Sequence, residues 1–423
     1  MTHAHELQIG AESMRSPLTP RQGELVTLAG TLAERFAARA AAHDRDNTFP
    51  LENYDDLRAE GYLSLTVPEE LGGRGANLYE LVLAQERLAM GCGSTALAVN
   101  MHVSPIGQWG SIWRDTGDPR LEELLRGVAA GEVIWASLTS EPGIPNHLMD
   151  ALTVAERVEG GFRVTGKKIF CTNSVVATNF SFSARYHDPD TGPRVGIFRG
   201  SKTMEGFTFV QTWDTLGMRG TQSNDLLIEN AFVPEDALVH SLPVNHLDGR
   251  VLKTIFSWAM PTFGAVYLGI AAGAMEWARQ AVQGRGRQTN PLVQSSFAQM
   301  EMLLESARAV LYRHCAEVMS GALFELTVQE GLARSGLAKV IPTNNAVEIM
   351  RHIVDVTGGA AYVRKLPLER MWRDVQAGPI MPYNNHQALE LLGATSLGVQ
   401  LAPEIPLSES GHTSQPRGPV DGA

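Results

Sequence analysis

The sequence predicts an α+β protein in three consecutive parts: an N-terminal helical domain, a middle β-barrel domain and a C-terminal four-helix bundle. Three observations lead there. The chain has 423 residues, 44% of them apolar, enough for more than one packed core. Apolar residues recur at helical spacing on both sides of a central stretch. Within that stretch, from about 132 to 235, the apolar period drops to two.

Element by element, residues 1–19 are rich in polar residues, Ser and Pro and read as a disordered tail. The helical domain spans 20–131. Leu25, Leu28, Leu32 and Phe36 mark its first helix, and Phe49-Pro-Leu-Glu-Asn-Tyr opens a second with proline in the first turn. Gly72-Gly73 breaks the chain before a helix near 78–91, and Leu121 to Ala130 reads as a short helix. The β domain spans 132–240. Val154 to Val164 is a hairpin turning at Gly160-Gly161, and further strands are expected at 180–185, 195–198, 207–211 and 226–233, the last ended by Pro234. The C-terminal helices span 241–401, where Gly264, Ala265, Gly269, Ala272 and Gly273 let one helix approach its neighbours closely. Residues 402–423 read as a second disordered tail.

Charge and cysteine narrow the class. A formal charge of -11, with no long run of Lys or Arg, argues against nucleic-acid and anionic membrane partners. The apolar run Pro261 to Met275 is too short to span a bilayer and reads as a buried helix. Cys92, Cys171 and Cys315 are far apart and without metal-ligand spacing, so a reduced, cytoplasmic chain without a metal is expected.

Motifs then add chemistry. Ser137-Leu-Thr-Ser-Glu-Pro-Gly143, Thr165-Gly-Lys-Lys-Ile-Phe-Cys-Thr-Asn173, Trp213-Asp-Thr-Leu-Gly-Met-Arg-Gly-Thr221, Asp355-Val-Thr-Gly-Gly359 and Pro367-Leu-Glu-Arg-Met-Trp-Arg-Asp374 together resemble the acyl-CoA dehydrogenase family of flavoproteins over roughly residues 20–400. The resemblance implies FAD, with Thr139, Ser140, Phe170 and Thr172 lying along the flavin ring. It also implies that Arg285, Gly358 and Gly359 reach the dinucleotide of a neighbouring copy, hence a homo-oligomer, dimer or tetramer. Arg287 is an alternative to Arg285, and the glycine pair also fits a plain helix C-cap. Asn384 and Asn385 are expected to hold the cofactor. Asn146, Trp258 and Met260 stand where relatives touch substrate. Arg373-Asp374 reads as an arginine–carboxylate network pinning the last helices.

The resemblance fails where the reaction would be. The family's carboxylate base takes an α-proton while a hydride leaves for the flavin. Here Pro382 occupies one usual glutamate position and Ala259 the other. Tyr383 and His386 are the nearest ionisable residues and are the candidates for a replacement base, although a His at a helix start also serves as a cap. The expectation is α,β-dehydrogenation of an acyl thioester or related small molecule by a non-standard base, with electrons passed to an acceptor. The alternatives are a flavin monooxygenase on the same fold, which needs no such base, and a non-catalytic family member.

Overall fold

The computed structural model describes residues 18–143 and 149–407. Five helices form the first part: α1 (Pro20–Asp46), α2 (Leu51–Ala59), α3 (Leu78–Ala89), α4 (Gly93–Thr116) and α5 (Pro119–Ala129). Thr19 caps α1 in a reciprocal box with Gln22, and Asn77 caps α3 in the same way with Glu80. Thr19 therefore belongs to the folded helix and not to a tail. Pro50 sits at the N-cap of α2, one place ahead of the expected first turn.

The middle part is one eight-stranded sheet among the described residues. Its strands are β1 (Trp135–Leu138), β2 (Val154–Val158), β3 (Gly161–Lys168), β4 (Asn179–Asp188), β5 (Gly192–Ser201), β6 (Phe207–Val210), β7 (Asp225–Pro234) and β8 (Leu238–Pro243). The order is β6-β7-β3-β2-β4-β5-β8, with β1 parallel to β4. β2 and β3 pair antiparallel with Val158 opposite Gly161, and Gly160 takes φ 76° in the turn between them. Phe207 of β6 touches Phe180 and Phe182 of β4 at 5.5 and 5.4 Å between ring centroids, although three strands separate β6 from β4 along the sheet. The sheet must curl strongly for these rings to meet, and it closes around an aromatic core as a barrel would.

A short β9 (Leu247–Asp248) and α6 (Gly249–Val251) lead through a π-helical turn, Leu252–Phe256, into α7 (Ser257–Gly284). α8 (Pro291–Met319), α9 (Val328–Thr357) and α12 (Asn385–Ser396) complete the bundle, with short α10 (Pro367–Val375) and α11 (Ala377–Ile380) between α9 and α12. The stretch Gly249–Gly284 is long and apolar enough to cross a membrane, yet 89% of its most apolar window is buried inside the molecule. Gly264, Gly269 and Gly273 make that burial possible. A Cβ on Gly269 would stand 2.2 Å from the Glu86 carbonyl oxygen of α3.

The expected tail beyond residue 401 needs correction. β10 (Glu404–Ile405) pairs in parallel with β9. The Glu404 carboxylate accepts from the Val328 and Gln329 N–H groups at 3.0 and 2.9 Å, satisfying donors that the start of α9 would otherwise leave open.

Candidate active site

Three turns of the sheet domain form one wall. β1 runs into Thr139 and Ser140, both half-buried, and the Ser140 carbonyl accepts from Ile169 N–H at 2.9 Å. The next residue, Glu141, is buried. It accepts from Lys168 Nζ at 2.6 Å, from Thr153 N–H and hydroxyl at 2.8 and 2.5 Å, and from Leu152 N–H at 2.5 Å. Lys168 is fully buried and also donates to the Ser183 carbonyl and hydroxyl. Burial opposes the charge on Glu141, but the Lys168 ammonium and the N–H donors outweigh it and hold the carboxyl below its usual range. This pair fixes the Thr139–Glu141 strand end to β3 and β4. It went unmarked in the sequence, although Phe162, Val164 and Lys168 share the inward parity of β3.

The second wall piece is the turn after β3. Phe170 has φ 55°, a left-handed conformation that is rare for a bulky residue, and its ring is 53% exposed against the edge of Trp213. Thr172 shares a hydrogen bond with Ser223 at 2.8 Å, and Ser223 shares another with Thr221 at 2.8 Å. Asn173 anchors this turn by donating to the Trp135 carbonyl at 2.7 Å and accepting from Tyr54 of α2. The third piece, residues 218–223, is held by Asp374, whose carboxylate accepts from Met218 N–H at 2.6 Å. An exposed aromatic ring in a strained turn, beside a row of hydroxyls, fits a planar heterocycle that covers the ring and hydrogen-bonds along its edge.

The C-terminal helices supply the other side. Trp258 and Met260 are buried at the start of α7, with Ala259 between them. The loop Met381–Asn384 packs back onto this region through the Tyr383 and Phe256 rings, 5.8 Å apart. The expected bases do not survive this geometry. The Tyr383 hydroxyl donates to the Gln387 carbonyl at 2.6 Å, and burial pushes its pKa further up, so it is a structural donor and not a proton acceptor. His386 is exposed on the first turn of α12. The two asparagines are also engaged within the chain. Asn384 caps α12 by accepting from Gln387 N–H at 3.0 Å. Asn385 is buried, accepts from Lys339 Nζ at 2.9 Å, and donates to Thr343 and Asn344 at 3.0 and 2.9 Å. Their expected role as cofactor ligands gives way to one in shaping the loop.

Lys339 of α9, absent from the sequence expectations, organises that loop. Besides Asn385, it donates to the carbonyls of Met381 and Tyr383 at 2.9 and 3.0 Å, with burial lowering its pKa to about 7.

Arg285, Gly358 and Gly359 are exposed. Gly358 is the C-cap of α9 with φ 59°, the plain-cap alternative read from the sequence. Arg287 binds the Val356 carbonyl at 3.1 Å, which brings the α7–α8 turn to this end of α9. Asn146 lies outside the described residues. A cavity of about 420 Å³ lies beside Ser257 and Trp258. A larger groove, about 970 Å³, runs between α1, α7 and α10 and is lined by none of the residues assigned to the site.

Residues 19–132 match the acyl-CoA dehydrogenase N-terminal domain and residues 261–385 the C-terminal domain of that family. A putative acyl-CoA dehydrogenase, YdbM of Bacillus subtilis, is 32% identical over 86% of this chain and 94% of its own length. The chain belongs to the acyl-CoA dehydrogenase family. L-evernosamine nitrososynthase of a Micromonospora species is 29% identical, covering 94% of this chain and 96% of that protein. Among solved structures, KijD3 in complex with FMN and dTDP-3-amino-2,3,6-trideoxy-4-keto-3-methyl-D-glucose superposes with a TM-score of 0.79 at 29% identity, over 91% of this chain and 96% of that one. This member is thus an acyl-CoA dehydrogenase-like flavin oxidoreductase, and its relatives include both dehydrogenases and nitrososynthases.

Proposed function

We propose that this protein is a flavin-dependent monooxygenase that oxidises the nitrogen of a small amine. One observation carries the reading: among the described residues, no group at the site is poised to take an α-proton. Pro382 and Ala259 have no acidic side chain, the Tyr383 hydroxyl is spent on Gln387, and His386 faces solvent. The similarity to nitrososynthases over more than nine-tenths of the chain supports the same conclusion.

Reduced flavin and dioxygen would supply the oxidising chemistry: an amine, O₂, two electrons and two protons give a hydroxylamine and water. The chain's own residues orient and enclose. Phe170 would lie against one flavin face, and the Thr172–Ser223–Thr221 row would offer hydroxyls to the ring edge. Thr139 and Ser140 lie on a strand end made rigid by Glu141–Lys168. Trp258, Met260 and Met381 keep the facing side apolar and shield it from water.

FAD is the proposed flavin, with Arg285, Gly358 and Gly359 of a second copy receiving its outer half. Tyr362, 91% exposed three residues beyond Gly359, offers apolar surface to such a copy. Denaturation should release FAD and not FMN, and light scattering should find a dimer or larger.

The deciding experiment has two arms, the first anaerobic and the second in the presence of oxygen. Flavin-loaded enzyme should stay oxidised with butyryl-CoA. After reduction by a nicotinamide-dependent flavin reductase, it should consume oxygen faster when an amino sugar is present. Rapid bleaching by butyryl-CoA would restore the dehydrogenase reading.

A further inference from the structure

The groove of about 970 Å³ between α1, α7 and α10 is within the size range of small-molecule sites. On α1 its wall is made of small residues: Ala33, Ala37 and Ala41 follow one another four residues apart, on one face. Half-buried Trp277 of α7, with Met90 and Met371, supplies apolar bulk opposite.

The charges along the groove are uneven once their partners are assigned. Its carboxylates are engaged: Asp44 and Glu369 bind Arg373 at 2.5 and 2.9 Å, Glu276 binds Arg279, and Glu34 stands 4.0 Å from the buried Arg87. Two of its cations are not. Exposed Arg364 and Lys365 have no ion pair among the described residues. Arg370, only 6% exposed, also lines the groove. It reaches Asp374 at 3.4 Å through one amino group, while its Nε is buried without an acceptor. A buried N–H left unpaired costs free energy, and an anion in the groove would supply what it lacks. Arg370 belongs to the first turn of α10, which no side chain caps, so open N–H donors and the positive end of the helix dipole add to the attraction.

A bare inorganic anion would leave the indole and the methionines unused, and a neutral aromatic would leave the cations unpaired. We propose that the groove is an effector site for an aromatic carboxylate, with its ring against Trp277 and its carboxylate between Arg370 and the Arg364–Lys365 pair. The site is separate from the flavin wall, and its assignment does not depend on which reaction the flavin performs. Arg370 nevertheless links the two. It pairs with Asp374, whose carboxylate holds Met218 N–H at 2.6 Å, at the head of the turn bearing Thr221 and Ser223. Burial already opposes the charge on Asp374, and an anion beside Arg370 opposes it further. A filled groove therefore loosens that turn and the hold on flavin, and by reciprocity bound flavin weakens the effector.

The test is calorimetric titration of the flavin-loaded protein with three probes: 2-naphthoate, its neutral amide and acetate. Naphthoate should bind saturably and about tenfold or more tighter than either of the others, the worth of a hydrogen bond to a charged group. Arg364→Gln combined with Lys365→Gln, both on exposed side chains, should bring naphthoate down to the level of the amide. Trp277→Leu should weaken naphthoate and amide alike; because Trp277 also packs on the core, the double variant decides. Absence of saturable naphthoate binding, equal binding of naphthoate and amide, or a preference that survives in the double variant overturns the assignment. Flavin fluorescence is read separately. Saturating naphthoate should release flavin from the parent on dilution and not from the double variant. Binding without release upholds the site and refutes the link, and release that persists in the double variant marks direct competition at the flavin wall and also refutes it.

Discussion

At the scale of single residues, buried polar groups set both the shape of the site and its response to acid. His102 is wholly buried between Leu63 and Trp135. It donates from Nε2 to the Leu63 carbonyl and accepts at Nδ1 from Trp135 N–H, which fixes the neutral tautomer at the root of β1. His314 is buried beside Ser257. Burial lowers both pKa values to about 4, whereas the unfolded chain titrates near 6.5. Between those values the unfolded state binds more protons than the native one. Stability is therefore intact above pH 6.5 and falls as pH drops toward 4, by about 3 kcal/mol per histidine. Urea midpoints measured from pH 7 to 4.5 should fall, and His314→Gln should flatten the slope. An unchanged slope would mean that His314 is protonated in the native protein. Residues of this kind are the hardest to read from sequence. Tyr383 stands out by its chemistry, but only its hydrogen bond to Gln387 reveals that it is a donor. Lys339 looks like any helical lysine until its three acceptors are known.

At the scale of elements, the strands and most helices were legible because one face is apolar and the other wet. The β2–β3 hairpin, β7 with its terminal proline, and α1 and α5 all carry that alternation. α4 does not. From Gly93 to Gly110 nearly every residue is buried, polar Asn100, His102, Ser104 and Gln108 among them, so it has no wet face for a periodic pattern to show. Nor could the sequence disclose the π-helical turn, where the Gln108 amide, arriving from elsewhere in the chain, donates to the Lys253 carbonyl. The closeness of α4 and α7 is testable. A Cβ on Gly107 would stand 2.2 Å from the Trp258 ring, so Gly107→Ala should push the ring aside and cost about 1–3 kcal/mol through overpacking. Its signature is a shifted Trp fluorescence spectrum with flavin retained, and an unaltered spectrum would show that the ring is not confined.

At the scale of the whole molecule, one arginine–carboxylate cluster joins all three parts. Arg373 of α10 binds Asp44 of α1 at 2.9 and 2.5 Å, Glu369 at 2.9 Å and the Leu216 carbonyl of the sheet domain at 2.8 Å. Beside it Asp374 holds Met218 N–H and pairs with the buried Arg370 at 3.4 Å. Asp374→Ala leaves Arg370 uncompensated and should cost about 3–5 kcal/mol. It should also release flavin, because Met218 begins the turn that carries Thr221 and Ser223. A variant that melts like the parent and stays yellow would show that the junction bears no stress. The strap at the chain's end points the same way. Since Glu404 closes the start of α9 and β10 lies on β9, an exopeptidase digesting inward should stall before Glu404. This strap thus behaves as a latch on the bundle, and an affinity tag or fusion partner put in place of residues 403–407 should loosen the start of α9.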